Sequence, residues 1–481
     1  MSQIMLFEDL AGQVSSESFA SMITQERRAE LAKIGKAWDF YYGNQAQYIK
    51  HYRGEDAQDY EDKDKITINY TKTIIDEYVG GVFAKPVAVA IDDPTYSEIW
   101  RDIADPISFF KVLPFMTKVQ RIAEVSGTCV VMIRFNEATK SVYFEDVRGE
   151  YVHFLPDPNN PKEVGTLILA YLFDTGNPRP SERYLKRIEV WDKDKWAIYL
   201  YHPHLQEMKV VDEGVNPYGF IPAVKYVPEE DDNSFFGMTN VHGIVHLNEE
   251  YNNLWTSLMR TSVMQSFSVL IVTSEGEIKL DIAPTRFIKL EQTDDAKAEY
   301  ITPQPKIAEV KGVLEQLKKE LQDVSRVPAE VLSSATGSGA PYQSGYALRV
   351  KRIPIEEIWN RRRLSYGPSY RNMVFKTLSI NDVHNKKTPP KSVVDIGIDV
   401  KFSSTVPEHS PNEQVVQDEF ELRYDVITPI DLIIRKYPDM STEEAKKKLE
   451  ANQAYKKEFT KDQFSYNIDD TADKSNLVGT A

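Results

Sequence analysis

The chain has one cysteine in 481 residues, so no disulfide framework can form within it. That residue, Cys129, stands in the apolar run TCVVMIRF, a setting for a buried small hydrophobe rather than a nucleophile. No stretch approaches the ~20 consecutive apolar residues that span a bilayer, and MSQIMLFEDLAGQ has no basic region followed by an apolar one. The expectation is a soluble protein of a reducing compartment. Positive charge is also short, with 58 Lys and Arg against 73 Asp and Glu and a formal net charge of -15. A surface that grips phosphates all over is therefore excluded, because such binding depends on displacing counterions with Lys and Arg. Catalytic patterns are missing as well. His242 and His246 are four apart, but Gly243 stands where H-E-x-x-H needs its glutamate, and no Cys and His metal spacing exists. The acidic pairs Asp92-Asp93, Asp231-Asp232 and Asp294-Asp295 fall in polar turns, where carboxylates are usually solvated. No enzyme, metal or cofactor is expected.

What is present is length and pattern. A chain of 481 residues exceeds one ordinary core and suggests two to four domains. Leu31, Ile34, Trp38 and Tyr41 or Tyr42 recur at helical spacing before Gly43-Asn44, which predicts an amphipathic helix over 24–42. KITINYTKTIIDEYVGGVFAKPVAVAID predicts a short strand, then a helix carrying Ile74, Ile75, Tyr78 and Val79, a break at Gly80-Gly81, and a strand over 86–91. A second helix is predicted around 107–123. From Cys129 to Val227, short runs (CVVMIRF, SVYFEDV, TLILAYLF, RIEVW, AIYLY, MKVV, AVKYV) separated by turn signals predict an antiparallel meander packed on the preceding helices.

Two heptad seams follow. Ile244, Leu247, Tyr251, Leu254 and Leu258, and then Ile307, Val310, Leu314, Leu317, Leu321 and Val324, alternate steps of three and four. They predict helices over 240–266 and 306–327, each roughly 30 to 40 Å long at the α-helical rise. The strand-like runs SVLIVTS and RFIKLE lie between them, giving a helix, a small β insert and a returning helix. Val245, Trp255, Met259 and Met264 lie off the first seam, more apolar surface than a two-helix arm can bury, and a neighbouring subunit is expected to cover it. A helical pattern over 345–378 carries Pro354 and Gly367-Pro368, which predict a kink and a second bend or interruption. VVDIGIDVKF reads as a strand. Charged helices start afresh near Asn412, Pro429 and Glu443, and the polar residues 461–481 are expected to be a disordered tail.

The stretch LSSATGSGAPYQSGYALRVKRIP lies between the second seam and that helix. It is not a phosphate-cradling nucleotide loop, because no Lys follows Gly345 and helix rather than strand precedes it. Ser333, Ser334, Thr336, Gly337, Ser338, Gly339, Tyr342, Gln343 and Ser344 include no charge. Hydroxyls, an amide and backbone N–H groups can touch phosphates weakly and without reading sequence. The bland alternative is an ordinary surface loop.

Several strings resemble the portal proteins of tailed double-stranded DNA bacteriophages, of the siphovirus type. They are WDFYYGN, ITINYTKTIIDEYVGGVFAKPVAV, EVSGTCVVMIRF and SRVPAEVLSSATGSGAPYQSGYALRVKRIP, in that order over roughly residues 30 to 450. Thr128-Cys129 departs from the small or aromatic residues usual there. The resemblance implies an α+β multidomain portal fold, assembled as a ring of about twelve copies around a channel. In this sequence it implies an N-terminal arm (1–23), an α/β wing (24–239), a two-helix stem (240–266 and 306–327) and a small β-containing clip (267–305). It further implies a tunnel loop (328–345) beside DNA, the kinked helix and a wing strand (346–405), and a helical crown (406–460). Implied partners are double-stranded DNA passing without sequence specificity, the terminase packaging motor, major capsid and scaffolding proteins, and head-tail connectors. No membrane is involved, and the place is the capsid vertex of a virion assembled in the host cytoplasm. The net acidity then serves to repel and centre DNA over a Debye length of ~10 Å, or simply to keep the protein soluble. Lys318, Lys319 and Arg326 either line the lumen or pair with Glu315, Glu320 and Asp323. Arg349, Lys351, Arg352 and Arg361 to Arg363 are read as a solvated helix face paired with Glu356 and Glu357, the alternative being contacts between subunits or to DNA. Outside this family, the same helix pair fits a non-enzymatic coiled-coil adaptor that presents a β module and never meets DNA.

Overall fold

The structure, a computed structural model, describes residues 25–51, 61, 64–104, 112–179, 183–202, 207–232, 234–265, 269–273, 297–301, 307–332, 345–390, 392–402, 411–424, 426–436 and 442–464. The chain divides into two units, Met1–Thr405 and Val406–Ala481.

The first unit opens with helix α1 (Gln25–Tyr42), which buries Ile34, Ala37, Trp38, Phe40 and Tyr41 and leaves Tyr42 outside. Gly43 ends it at φ +88°, the left-handed conformation that a glycine adopts without steric penalty. Helix α2 (Tyr70–Gly80) follows, with Asn69 as its cap, accepting from the Lys72 amide. The predicted strand ahead of it does not form. Residues 64–69 have no strand partner, because their backbone groups are met by side chains of another helix, described below. Strand β1 (Ala88–Ile91) pairs antiparallel with β14 (Ile398–Lys401), and helix α3 (Pro94–Ala104) follows β1. Only the end of VVDIGIDVKF is strand, since turns occupy 393–397. Gly397 sits there at φ +60°, and a Cβ on it would fall 2.0 Å from the Asp92 carboxylate.

Helix α4 (Val112–Ser126) leads into β2 (Cys129–Asn136) and β3 (Ser141–Arg148). The expected single meander is instead two sheets. One is three-stranded, in the order β3-β2-β9, with β9 at Ala223–Tyr226. The other is five-stranded, in sequential order through β4 (Val152–Pro156), β5 (Val164–Asp174), β6 (Tyr184–Trp191), β7 (Lys195–His202) and β8 (Glu207–Val215). Val130 and Met132 of β2 and Val147 of β3 pack with Val152, Leu167 and Leu169 of the larger sheet, while helices cover the other face of β2. Burial on both faces explains why CVVMI reads as a continuous apolar run rather than an alternation. One ion network ties the two sheets: Arg134 donates to Glu145 and, at 2.8 Å, to the fully buried Glu189, which also accepts from Tyr171 and Arg187. Burial alone would raise the Glu189 pKa, but the Arg134 guanidinium and its other donors hold it below the ordinary value. A short hairpin, β10 (Glu229–Asp231) and β11 (Ser234–Met238), follows.

Helices α5 (Val241–Gln265) and α6 (Ile307–Ser325) match the two predicted helices to within two residues at each end. Between them β12 (Val269–Thr273) pairs with β13 (Lys297–Ile301), whereas RFIKLE lies outside the described residues. Tyr251, Leu258 and Leu314 form the buried centre of the helix pair, flanked by Leu254, Trp255, Ile307, Val310 and Leu317. The upper end departs from the heptad expectation, as Val324 is 45% exposed. The surplus apolar face of α5 also resolves differently. Val245 is buried within this chain, Trp255 stacks on Tyr251, and α1 and α2 pack along α5, so only Met259 remains exposed among those with described side chains.

The α5 surface turned toward α2 is polar, and sequence reading missed it. Asn248, Asn252 and Thr256, one turn apart, are buried and bond the residues from Ile66 to Ile68 in the way a neighbouring strand would, and Thr71 at the start of α2. Thr256 Oγ1 accepts from the Ile66 amide and donates to its carbonyl. Asn252 Oδ1 accepts from the Ile68 amide, and Asn248 Nδ2 donates to the Ile68 carbonyl. Asn248 Oδ1 also accepts from the Thr71 amide and hydroxyl, both at 3.0 Å.

Helix α7 (Ala329–Leu332) is short, and helix α8 (Gly345–His384) is long, passing through both Pro354 and Pro368 without interruption. A proline inside a helix removes one backbone bond, at a cost of ~3 kcal/mol. Here packing offsets that loss, since Ile355, Tyr366, Met373, Val374 and Leu378 are all buried along the helix. Ser365 and Ser369, flanking Pro368, donate to the Val227 and Lys225 carbonyls.

The second unit comprises α9 (Pro411–Arg423), α10 (Pro429–Lys436) and α11 (Thr442–Phe464). Thr428 and Asp431 cap α10 reciprocally, which is why a helix starts at Pro429. Arg435 joins α10 to Asp418 and Glu421 of α9. Residues 461–464, read as the beginning of a disordered tail, instead complete α11.

Candidate functional site

The Gly-rich segment from Ser333 to Ser344 lies outside the described residues, but both of its attachment points are visible. On the incoming side α6 stops at Ser325, and Arg326 takes φ +57°, a conformation that usually terminates a helix as glycine. The Ser325 carbonyl accepts from Tyr78 Oη at 2.7 Å, and the buried Val327 and Leu332 seat α7 against the unit. Burial, reinforced by the Glu124 carboxylate, pushes the Tyr78 hydroxyl well above the ordinary tyrosine range, so it remains a donor at any physiological pH.

On the outgoing side α8 is held by the same helix. Trp359 Nε1 donates to the Glu77 carbonyl at 3.1 Å, and Arg363 donates to the Gly81 carbonyl at 2.7 Å. The Trp359 indole lies 1.9 Å from where a Cβ on Gly81 would be, so only glycine allows this approach. The elements that flank the segment, the end of α6 on one side and α8 on the other, thus both bond to the C-terminal half of α2 or the residue just after it.

Behind this base lies a buried ion pair. Arg362 Nε and an Nη donate to the two oxygens of Glu124 at 2.9 and 3.3 Å, and its other Nη reaches the Pro228 carbonyl at 2.9 Å. Burial would lower the Arg362 pKa, but the Glu124 carboxylate outweighs it and the charged form is held. The expectation of a solvated basic face over 361–363 is therefore wrong for two of the three residues. The helical repeat that buries Ile355, Ile358, Trp359 and Tyr366 also turns Arg362 inward, and Arg363 lies half-buried on Gly81. Glu357 pairs instead with Arg326, at 3.3 Å.

The other predicted cations are scattered rather than gathered. Lys318 Nζ stands 5.8 Å above the Tyr70 ring, and Lys319 is exposed, without a partner among the described residues. Lys351 and Arg352 are exposed, and nothing is described of the Arg349 side chain. His246 lies near Glu249 and Glu250, but Lys36 and Lys50 already pair with those carboxylates, so the trio reads as surface ion pairs. Cys129 is buried and free, and burial pushes its thiol far above the reactive range. Among the described residues no helix is long and apolar enough to cross a membrane. The buried Glu124 and Arg362 gave no signal in sequence, since a lone Glu in a helix and one Arg in a basic run look solvated. The Asn248, Asn252, Thr256 spacing was readable as a polar stripe.

No curated protein matches the chain. A family-wide sequence comparison matches residues 21–458 to the description "Phage portal protein, SPP1 Gp6-like". That match takes in both units, the α5 and α6 pair, and the flanks of the Gly-rich segment. The chain belongs to the phage portal protein family, whose members serve in DNA packaging as structural proteins rather than enzymes.

Proposed function

We propose that this chain assembles into a closed ring of about twelve copies at one capsid vertex, through which double-stranded DNA is packaged, retained and later ejected. Residues 24–239 and the β1–β14 pair serve as wing, α5 and α6 as stem, β12 and β13 as part of the clip that docks the terminase, and α9 to α11 as crown. Capsid and scaffolding proteins contact the outside of the ring, and head-tail connectors bind it after packaging. The segment from Ser333 to Ser344 faces the duplex and touches phosphates through hydroxyls, Gln343 and backbone amides, without gripping them.

The observation that carries this reading is the base of that segment. The helices that flank an uncharged, glycine-containing stretch both bond to one helix, through Tyr78 with Ser325 on one side and Trp359 with Glu77 on the other. A rigid base under a chain segment free of charge suits repeated contact with a moving polyanion, where strong ionic contacts would act as brakes. An adaptor that merely displays a β module has no use for such a base.

Electron microscopy of the purified chain, with its mass in solution, tests the proposal. A closed ring with an axial opening wide enough for a duplex of ~20 Å is expected. A monomer or dimer that persists at high concentration, with scaffolding protein supplied, would overturn it in favour of the adaptor.

A further inference from the structure

A cavity of about 440 Å³ opens between the start of α5, the end of α6 and the middle of α8, beside the base of the Gly-rich segment. Three arginines are among the residues that line it, Arg326, Arg361 and Arg362. Their states differ. Arg362 is fully engaged by Glu124 and the Pro228 carbonyl, with Glu229 4.0 Å away at the cavity wall. Among the described residues Arg326 is held only by Glu357, and both side chains are about half exposed, 44% and 56%, so the pair is weak. Arg361 is exposed and has neither an ion pair nor a hydrogen bond among the described residues.

The remaining lining narrows the ligand class. Val324, 45% exposed, and the buried Ile358 add apolar surface, while Thr239 and Asn240 lead into the positive end of the 25-residue helix α5. A free guanidinium, a second loosely held one and an apolar strip suit a carboxylate on a short aliphatic stem, an Asp or Glu side chain. The chain itself is the abundant source of such groups, with 73 of them and a net charge of -15. Copies carrying that charge repel one another when brought together, and a basic socket for a neighbour's carboxylate offsets the repulsion where it is greatest.

We infer that this cavity is the receiving half of a head-to-tail contact between subunits, in which an Asp or Glu of a second copy of this chain enters and is bound by Arg361 and Arg326. The inference rests on the ring reading above. It requires an interface in which unlike surfaces meet, as any closed ring of more than two copies does.

The test uses the full chain with Arg361→Gln, Arg361→Glu and Arg361→Lys, measuring ring assembly by native mass spectrometry and sedimentation over a range of protein and salt concentrations. Thermal melting of the unassembled chain should be the same for all four proteins, because Arg361 has no partner among the described residues. R361E is expected to raise the concentration for half-assembly by about tenfold or more, R361Q by less, and R361K to assemble nearly as wild type, with salt weakening wild type toward R361Q. Rings of R361E that form at wild-type concentration would overturn the inference and leave the ring reading standing. Normal R361Q rings that hold a DNA duplex less well would also overturn it, by making the occupant a phosphate. A wild-type chain that forms no ring would bring down the ring reading first, and this inference with it.

Discussion

Helices α5 and α6 lie side by side and share one seam, yet they are built on opposite principles. Helix α5 is surrounded: Tyr251 and Leu258 face α6, Val245 is buried, and Asn248, Asn252 and Thr256 serve as hydrogen-bonding partners inside the protein. Helix α6 is covered along one stripe, with Leu314 and Leu321 inward and Val313, Lys319 and Val324 outward. The same heptad spacing therefore carries two roles, a core element and a surface element. What separates them is the chemistry of the positions off the seam. The buried polar residues on α5 are amides and a hydroxyl, which can be buried once satisfied, whereas the polar residues on the outer face of α6 are mostly charges, which stay in water.

The largest test of this contrast is Asn248→Leu. It removes the bonds to Ile68 and Thr71 and leaves a buried amide and carbonyl without partners. A loss of about 4 kcal/mol in unfolding free energy by denaturant titration is expected, and a loss below ~1 kcal/mol would mean that α5 does not depend on its polar side. Leu314→Ala probes the seam that the two helices share and should cost about 3 kcal/mol, with the spread set by how far Tyr251 and Leu258 close in.

Acid should reach the molecule elsewhere before it reaches this polar set, because Asn and Thr do not titrate. His153 is the group to watch, since burial, aided by the nearby Arg27, lowers its pKa from 6.5 to about 4. A depressed folded pKa means that the unfolded chain binds the extra proton first. The contribution of the neutral imidazole is complete above pH 6.5 and is lost as pH falls toward 4, amounting to roughly 3 kcal/mol by the lower end. Stability curves of wild type and His153→Phe, measured against pH, should converge or cross over that window. Parallel curves would show that His153 is not the acid-sensitive group.

The smallest effect belongs to the outer face of α6. Lys319→Ala and Val313→Ser should each change unfolding of the unassembled chain by less than ~0.5 kcal/mol. A larger loss would show that this face is covered within the chain and erase the contrast between the helices.

How far the sequence could be read follows the same division. The seams of α5 and α6, the helix ending at Gly43, and the runs from Cys129 to Val227 were legible, because periodicity and turn residues are local signals. Partition of those runs into two sheets was not, since it depends on which faces meet across Val130, Met132 and Leu167. The possible interruption at Gly367-Pro368 does not occur in α8, where burial on both sides of Pro354 and Pro368 outweighs the lost backbone bonds. The extended run KITI misled for another reason: its partner is a helix face, and no strand rule anticipates that. At the base of the Gly-rich segment, Arg326 was read as a lumen cation or a partner of Glu315, Glu320 or Asp323 and instead pairs with Glu357, whereas Tyr78 and Gly81, read only as a helix position and a break, and Trp359 take their roles from contacts between residues more than two hundred apart in the chain.

The asparagine and threonine set on α5 has a mechanical side. A helix held only by apolar packing can creep along its neighbour under load, trading one van der Waals contact for the next. The bonds from Asn248, Asn252 and Thr256 run across α5 to fixed backbone atoms of residues 66–71, so they lie in shear and must rupture together before the helix advances. Force applied along α5 therefore passes into residues 66–71 and on into α2, the helix to which both flanks of the Gly-rich segment are fastened.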